Sequence, residues 1–399
     1  MGRNRSNKIE NTEDYMKKIE TVSGQIPIAE KEHYISKSDS KALYGIAIIL
    51  MVFHHCFCIP SRLNYNYIPL LGGFETEARI AWIGKLCVAI YAFVSGYAFA
   101  AISDRNGATK LWDRLRANVI TSLQTLIKFY SKFWLVFLIY VPIGIVFFGK
   151  SSAPKDILNG LLRGGGYCGE WWYVFQYIKF LIVFPFLELV IFWLKDKEKR
   201  KYAIISIVAG FCIIAAVRAI AWNSFAGKII RFGFNQFYSH YMVIFLVAFV
   251  MGKYRIYESI SKYVSGSITL IVMLSACVVF RWFFVTHASQ SNCDVFLAPI
   301  LIFSLVGILH KAKSQKIISC LAYLGKYSIY MWLIHTFWIY YYFQNIILLP
   351  RYSLLIFIWA LAISLINAIL LDQLYKAIGN TCGGIRKIIT KENQKYISN

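Results

Sequence analysis

Ten predominantly apolar stretches follow one another along the chain, near 42–59, 80–101, 132–149, 171–194, 202–223, 238–252, 265–286, 294–309, 325–347 and 353–377. Most approach the ~20 residues a helix needs to cross the hydrocarbon core of a bilayer. The third is the least sharply bounded, because 118–131 before it is also fairly apolar; the sixth and eighth are short. Residues 1–40 mix charges of both signs and read as a disordered tail, and 378–399 read as a second, basic tail. The pattern predicts an all-α, polytopic membrane protein of about ten transmembrane helices, with a membrane domain over 41–377.

Charge orients the spans. Lys and Arg number 28 in residues 1–41, the loops 102–131, 195–201, 253–264 and 310–324, and the C-terminal tail, against 8 in the alternate loops. Basic residues collect on the cytoplasmic side of membrane proteins, so both termini are expected in the cytoplasm of a plasma-membrane protein. The formal net charge of +23 is thereby a topological signal, and a nucleic-acid partner is excluded. Composition agrees: 58% of residues are hydrophobic and 16% charged, where a soluble domain carries about 25% charged residues. Lipid is the solvent this surface needs, and the 30 Phe, 27 Tyr and 11 Trp suit interfacial anchoring. The nine cysteines show no paired CxxC spacing, so neither a zinc site nor a disulfide framework is indicated. Only Cys168 and Cys293 fall in loops on the same outer side. The oligomeric state is left open.

Ionisable residues inside spans are costly and mark candidate sites. The first span ends in His54-His55, and His55 lies ~20 Å in from the cytoplasmic end at 1.5 Å per residue. A neutral imidazole there suits general-base work near neutral pH. His335 lies ~15 Å into the ninth span from the same side, a comparable depth. Each also has a plainer explanation as an interhelical hydrogen-bonding residue. Lys85, Arg218, His240 and Arg281 fall toward outer helix ends, where snorkelling accounts for them singly. Together with the loop Gly164-Gly165-Gly166-Tyr167-Cys168-Gly169-Glu170-Trp171-Trp172 they would form a polar vestibule. On the inner side Lys110, Arg114 and Arg116 either set topology or hold phosphate, which Arg binds bidentately. Ser95-Gly96 permits close helix approach. His54 and Cys58 have metal-ligand spacing but no further ligands, so no metal is expected.

The segment Lys41 to His55, taken with Ala92-Phe93-Val94-Ser95-Gly96-Tyr97-Ala98, resembles the acyltransferase-3 family of bacterial membrane proteins. That family opens with a basic residue, a Gly-Ile-Ala-type run and a His ending the first helix. Trp171-Trp172-Tyr173 before a Pro185-containing helix is similar to it too, as is Leu324-Gly325-Lys326-Tyr327-Ser328-Ile329-Tyr330-Met331-Trp332-Leu333-Ile334-His335. The likeness runs from about 40 to 377. It implies transfer of an acyl group, commonly acetyl from acetyl-CoA, to hydroxyls of surface or exported glycans or a lipid-linked sugar, with His55 as the presumed catalytic residue. The family's Arg, eleven residues before that His, is Tyr44 here; Lys41 is the candidate to supply the charge and His54 the fallback base. On this reading His335 orients the base or stabilises the oxyanion, Lys110, Arg114 and Arg116 hold acyl-CoA, and Trp171, Trp172, Arg218, His240 and Arg281 hold the sugar. A glycan or lipid-precursor transporter, or a non-catalytic scaffold on the same fold, are the rival readings. The topology itself is testable: alkaline phosphatase fused after Leu70 or Gly160 is expected to be active, and after Lys110 or Ile260 inactive, whereas the opposite pattern would invert the orientation.

Overall fold

The computed structural model describes residues 33–105, 110–193, 240–284, 293–312 and 314–397. The fifth expected span, 202–223, and with it Arg218, lies outside the described residues. In chain order the helices are α1 Lys37–Phe57, α2 Phe74–Ile83, α3 Leu86–Arg105, α4 Leu111–Phe147, α5 Pro154–Arg163, α6 Trp172–Trp193, α7 His240–Lys253, α8 Ile256–Ile260, α9 Ser267–Phe284, α10 Asp294–Lys311, α11 Gln315–Thr336, α12 Gln344–Ile347 and α13 Ser353–Ile397. Short 3₁₀ turns lie at Pro60–Leu63 and Gly169–Trp171, and a π-helical turn at Phe337–Tyr341.

Among the described residues, seven helical segments are long and apolar enough to cross a membrane: Lys37–Phe57, Phe74–Arg105, Leu111–Phe147, Gly169–Ile191, Asp294–Lys311, Gln315–Tyr341 and Ser353–Asn380. The shorter apolar helices His240–Lys253 and Ser267–Phe283 coincide with the sixth and seventh expected spans. Ile127, Leu138, Phe186, Val190, Ile268, Phe283, Phe296 and Ile366 are exposed along these helices, a surface that lipid solvates and water does not. The protein is an all-α, polytopic membrane protein.

Helix ends depart from the sequence expectation for local reasons. α1 begins at Lys37 because Ser36 and Asp39 form a capping box, Ser36 Oγ accepting from Asp39 N and Asp39 Oδ2 from Ser36 N. The second span is two helices, α2 and α3, meeting at Gly84, where a Cβ would run into the Leu50 carbonyl and the His54 side chain. The third begins at Leu111, taking in the apolar run that blurred its start. The ninth begins at Gln315 rather than near 325. The last continues as helix through much of the segment read as a basic tail. α4, α6 and α10 run on through Pro142, Pro185 and Pro299.

Two close helix pairs organise the interior. α1 and α11 share the most extensive interhelical contact, followed by α3 and α7. In the first pair, a Cβ at Gly45 would fall on the Leu321 carbonyl, and one at Gly325 on the Lys41 carbonyl. In the second, Gly96 meets the Phe245 carbonyl and Gly252 the Ala100 side chain, which is the close approach expected at Ser95-Gly96. Small residues let helix backbones touch in lipid, where packing replaces the hydrophobic effect as the force between helices.

Polar contacts sort to the two ends of the helices. At the end where α1 begins, which we call the basic face, His310 Nε2 lies 3.0 Å from Asp39 Oδ2. There Glu188, which is 1% exposed, takes Arg114 at 2.6 Å and Lys253 at 3.0 Å, and Lys253 also reaches Asp104 at 2.6 Å. At the opposite face the loop after α1 is pinned to the start of α13 by an isolated bridge between Ile68 and Tyr352. Its bonds run from Ile68 N to Arg351 O and from Ser353 N to Ile68 O. The glycine contact is the feature most exposed to a single substitution. Gly45→Ala and Gly325→Ala should each cost roughly 1–3 kcal/mol, the usual penalty of overpacking. A lowered unfolding midpoint in detergent would show this, with Gly379→Ala, whose Cβ meets nothing within 4 Å, as the tolerated control.

Candidate active site

His55 lies ten residues beyond Gly45 and His335 ten beyond Gly325. Because α1 and α11 run parallel from a shared backbone contact, equal arcs of ~15 Å bring both imidazoles to one height near the opposite face. Their ring centroids are 5.0 Å apart. Helical periodicity and one close crossing suffice to build this pair.

Hydrogen bonding fixes which nitrogen of each ring carries the proton. The π-helical turn Phe337–Tyr341 carries Tyr340, whose hydroxyl donates to the His55 carbonyl and lies 3.1 Å from His55 Nδ1. With the phenolic proton committed, Nδ1 is the donor, and the lone pair of the neutral ring sits on Nε2. His335 Nδ1 lies 2.8 Å from the Trp332 carbonyl and 3.1 Å from that of Met331. Carbonyls only accept, so Nδ1 carries that proton also. His335 Nε2 is buried without a hydrogen-bond partner among the described residues. In this tautomer both rings offer an acceptor nitrogen, so a neutral His335 takes a proton rather than donating to an oxyanion.

A third element is a carboxylate that sequence reasoning did not select. Glu170 Oε1 accepts from Arg62 at 3.3 Å, and Oε2 from the Tyr341 hydroxyl at 2.8 Å and the Cys168 thiol at 3.6 Å. The Arg62 guanidinium also lies over the Tyr340 ring, 4.8 Å from its centroid. One turn of π-helix thus sends adjacent tyrosines to His55 and to the Glu170 carboxylate; such turns recur at functional sites. His55 and Glu170 line the same cavity, of about 50 Å³, with Met51, Val88, Tyr91, Trp172, Tyr173 and Trp332. That is room for a few waters or a small group. The available signals were modest: Glu170 is the one acid in an aromatic, Gly-rich loop, and Tyr340 and Tyr341 open a run of three tyrosines.

The other expected site residues scatter. His54 is buried, its Nδ1 2.8 Å from the Ala81 carbonyl and its ring against Trp82, so it ties α2 to α1. Lys41 is exposed and ~21 Å along the helix from His55, out of reach of its imidazole. Tyr44 stacks on Tyr91, centroids 5.3 Å apart. Trp171 is fully buried among Phe133, Phe137 and Phe337, and its indole donates to the Leu333 carbonyl at 2.9 Å. It braces the site and presents no open face, whereas Trp172 is 46% exposed. Arg281 is buried in an ion pair with Asp294 at 3.3 Å. His240 packs on Tyr241, which in turn packs on Trp172. At the basic face Arg114 is engaged by Glu188, while Lys110 and Arg116 are exposed. Cys168 and Cys293 are both free thiols. Burial, and next the Glu170 carboxylate, push the Cys168 thiol well above its ordinary range, so it remains protonated.

The acyltransferase-3 family model, described as an acyltransferase domain, matches residues 41–372. No curated protein and no solved structure matches the chain. The matched region takes in the glycine crossing, both histidines, the π-helical turn and Glu170. The protein therefore belongs to the acyltransferase-3 family and is a membrane acyltransferase.

Proposed function

We propose that this protein is an O-acyltransferase that moves an acyl group, acetyl in our reading, from acyl-CoA to a hydroxyl of a surface or exported glycan, with His55 as general base. The observation that carries this is the held tautomer of His55 in the wall of a small, largely apolar cavity. Its Nδ1 is engaged by Tyr340, so its other nitrogen is the one able to take a proton. The acceptor hydroxyl gives its proton to Nε2 as its oxygen attacks the thioester carbon. Collapse of the tetrahedral intermediate breaks the carbon–sulfur bond, and the CoA thiolate takes the proton back from His55.

Transfer is direct in this scheme. The neighbouring thiol, Cys168, stays protonated, and the thiolate is the nucleophilic form of cysteine. Trp172, half-exposed in the cavity wall, supplies an aromatic face for the sugar, and Glu170 supplies acceptors for its neighbouring hydroxyls. His335 is placed to share the proton that His55 takes up. The protein sits in the plasma membrane with both termini in the cytoplasm, where acyl-CoA is made. Lys110 and Arg116 meet the donor's phosphates there, and Arg114 serves the ion-pair network around Glu188.

Proton NMR of the cell-surface polysaccharide tests the reading, in a deletion strain carrying the wild-type chain or His55→Ala. Acyl esters should return with the wild type alone. Esters restored equally by His55→Ala would remove the base, and an altered amount of polymer without esters would point to transport or scaffolding. The donor site makes a separate forecast. Lys110→Ala combined with Arg116→Ala should raise KM for acetyl-CoA about tenfold, as loss of ~1.4 kcal/mol of ground-state binding does, and leave kcat near wild type.

A further inference from the structure

We infer that Tyr173 is a catalytic residue whose hydroxyl binds the thioester carbonyl oxygen and stabilises the negative charge that develops on it. This rests on the acyl-transfer reading above and assigns a role that reading leaves unfilled. The tetrahedral intermediate carries an oxyanion, and preorganised donors aimed at such charge are commonly the largest single contribution to rate. Neither histidine supplies one. His55 is occupied as proton acceptor, and the proton of neutral His335 is committed to the Trp332 and Met331 carbonyls.

The donor must therefore come from elsewhere in the cavity wall. The lining side chains with a proton to give, apart from His55, are Tyr91, Trp172, Tyr173 and Trp332. Trp172 is half-exposed and is the aromatic face assigned to the sugar above. The Tyr91 and Tyr173 hydroxyls are both fully buried with no hydrogen-bond partner among the described residues; Tyr91 lies stacked on Tyr44, whereas Tyr173 is braced from several sides. Its ring is held edge-on by Trp172, Phe180 and Trp332, with centroids at 5.5, 6.1 and 5.7 Å. The direction of the C–O bond is thereby set by packing, as a preorganised donor requires. An unsatisfied buried hydroxyl is a liability to folding, and keeping one in the wall of the reaction cavity points to a partner that arrives with the substrate. During attack, the carbonyl π electrons move onto this oxygen, which accepts the Tyr173 hydrogen bond while the phenol keeps its proton. The charge returns to the carbonyl as the carbon–sulfur bond breaks.

A structural hydroxyl and a catalytic one behave differently on conversion to Phe. Tyr173→Phe removes no hydrogen bond among the described residues and keeps every ring contact. We would assay the purified full-length chain with acetyl-CoA and polysaccharide stripped of its esters from the deletion strain, following thiol release and the unfolding midpoint. Tyr330→Phe, which removes another partnerless buried hydroxyl away from the cavity lining, is the control. Tyr173→Phe should lose roughly a hundredfold in kcat, the effect of removing one oxyanion donor, with KM for acetyl-CoA little changed and the midpoint unchanged or raised. Tyr330→Phe should keep wild-type kcat. Wild-type kcat in Tyr173→Phe, with His55→Ala inactive, would overturn the inference alone, as would a loss accompanied by a lowered midpoint. An inactive wild type, or an active His55→Ala, would overturn the acyl-transfer reading and the inference with it.

Discussion

The carbonyl of Lys41 occupies the space a side chain at Gly325 would need, and the carbonyl of Leu321 does the same at Gly45. This reciprocal contact between two parallel backbones sets the register of α1 against α11, and the site inherits its geometry. Two helices held at one crossing have little freedom to slide. A displacement by a single residue would shift one histidine by ~1.5 Å and turn it by ~100°, separating rings now 5.0 Å apart. In lipid no bulk hydrophobic force presses helices together, so register has to come from fit. The α3–α7 pair uses the same device at Gly96 and Gly252, and α7 brings Tyr241 against Trp172 at the edge of the cavity.

The second constraint is the treatment of polar groups that water cannot reach. At the basic face the charges are arranged in a shared ion-pair network. Glu188 is shared by Arg114 and Lys253, and Lys253 reaches on to Asp104. Such groups are neutralised on the spot and hold α3, α4, α6 and α7 together. Near the opposite face the pattern changes. Glu170 is well supplied by Arg62 and Tyr341, yet His335 Nε2 and the Tyr173 hydroxyl, both buried, find no protein partner among the described residues. Open hydrogen-bonding capacity recurs elsewhere among the described residues, at the Tyr330 hydroxyl and Glu188 Oε2 for example, but at Tyr173 it lies in a cavity wall.

Much of the architecture was legible because its causes are local. Nine of the expected spans correspond to described helices, since an apolar run of the right length has few alternatives in a bilayer. The alternation of Lys and Arg adds an expected orientation, because basic residues collect on the cytoplasmic side. His55 and His335 stood out for the same reason, as ionisable groups at depth. Their meeting was not legible, since it depends on which pair of glycines makes the crossing. Trp171 and Trp172 differ by one position and ~100° around the chain's turn; one is sealed under Phe133, Phe137 and Phe337 while the other faces the cavity. Composition treats them alike. Lys41 drew attention by sequence distance from His55, but a helix converts fourteen residues into ~21 Å. Glu170, Tyr340 and Tyr341 were missed because their value comes from a π-helical turn and a 3₁₀ turn, and neither has a strong sequence signature.

That turn also explains how the His55 ring is held in one orientation at the end of a transmembrane helix. The last carbonyls of a helix lack intrahelical partners, and in lipid an orphan carbonyl is expensive. Tyr340 answers the His55 carbonyl and, by spending its proton there, obliges the His55 ring to donate through Nδ1. One hydroxyl therefore serves the backbone and the tautomer together. Arg62 over the Tyr340 ring and on Glu170 then links His55 to the carboxylate across three chain segments, α1 with its following turn, the loop before α6 and the end of α11. A regular α-helix through 337–341 would change the angle between Tyr340 and Tyr341 and break one of these links. The wider turn is therefore best understood as the price of holding both, and the orientation of His55 follows from the same backbone irregularity that positions Glu170.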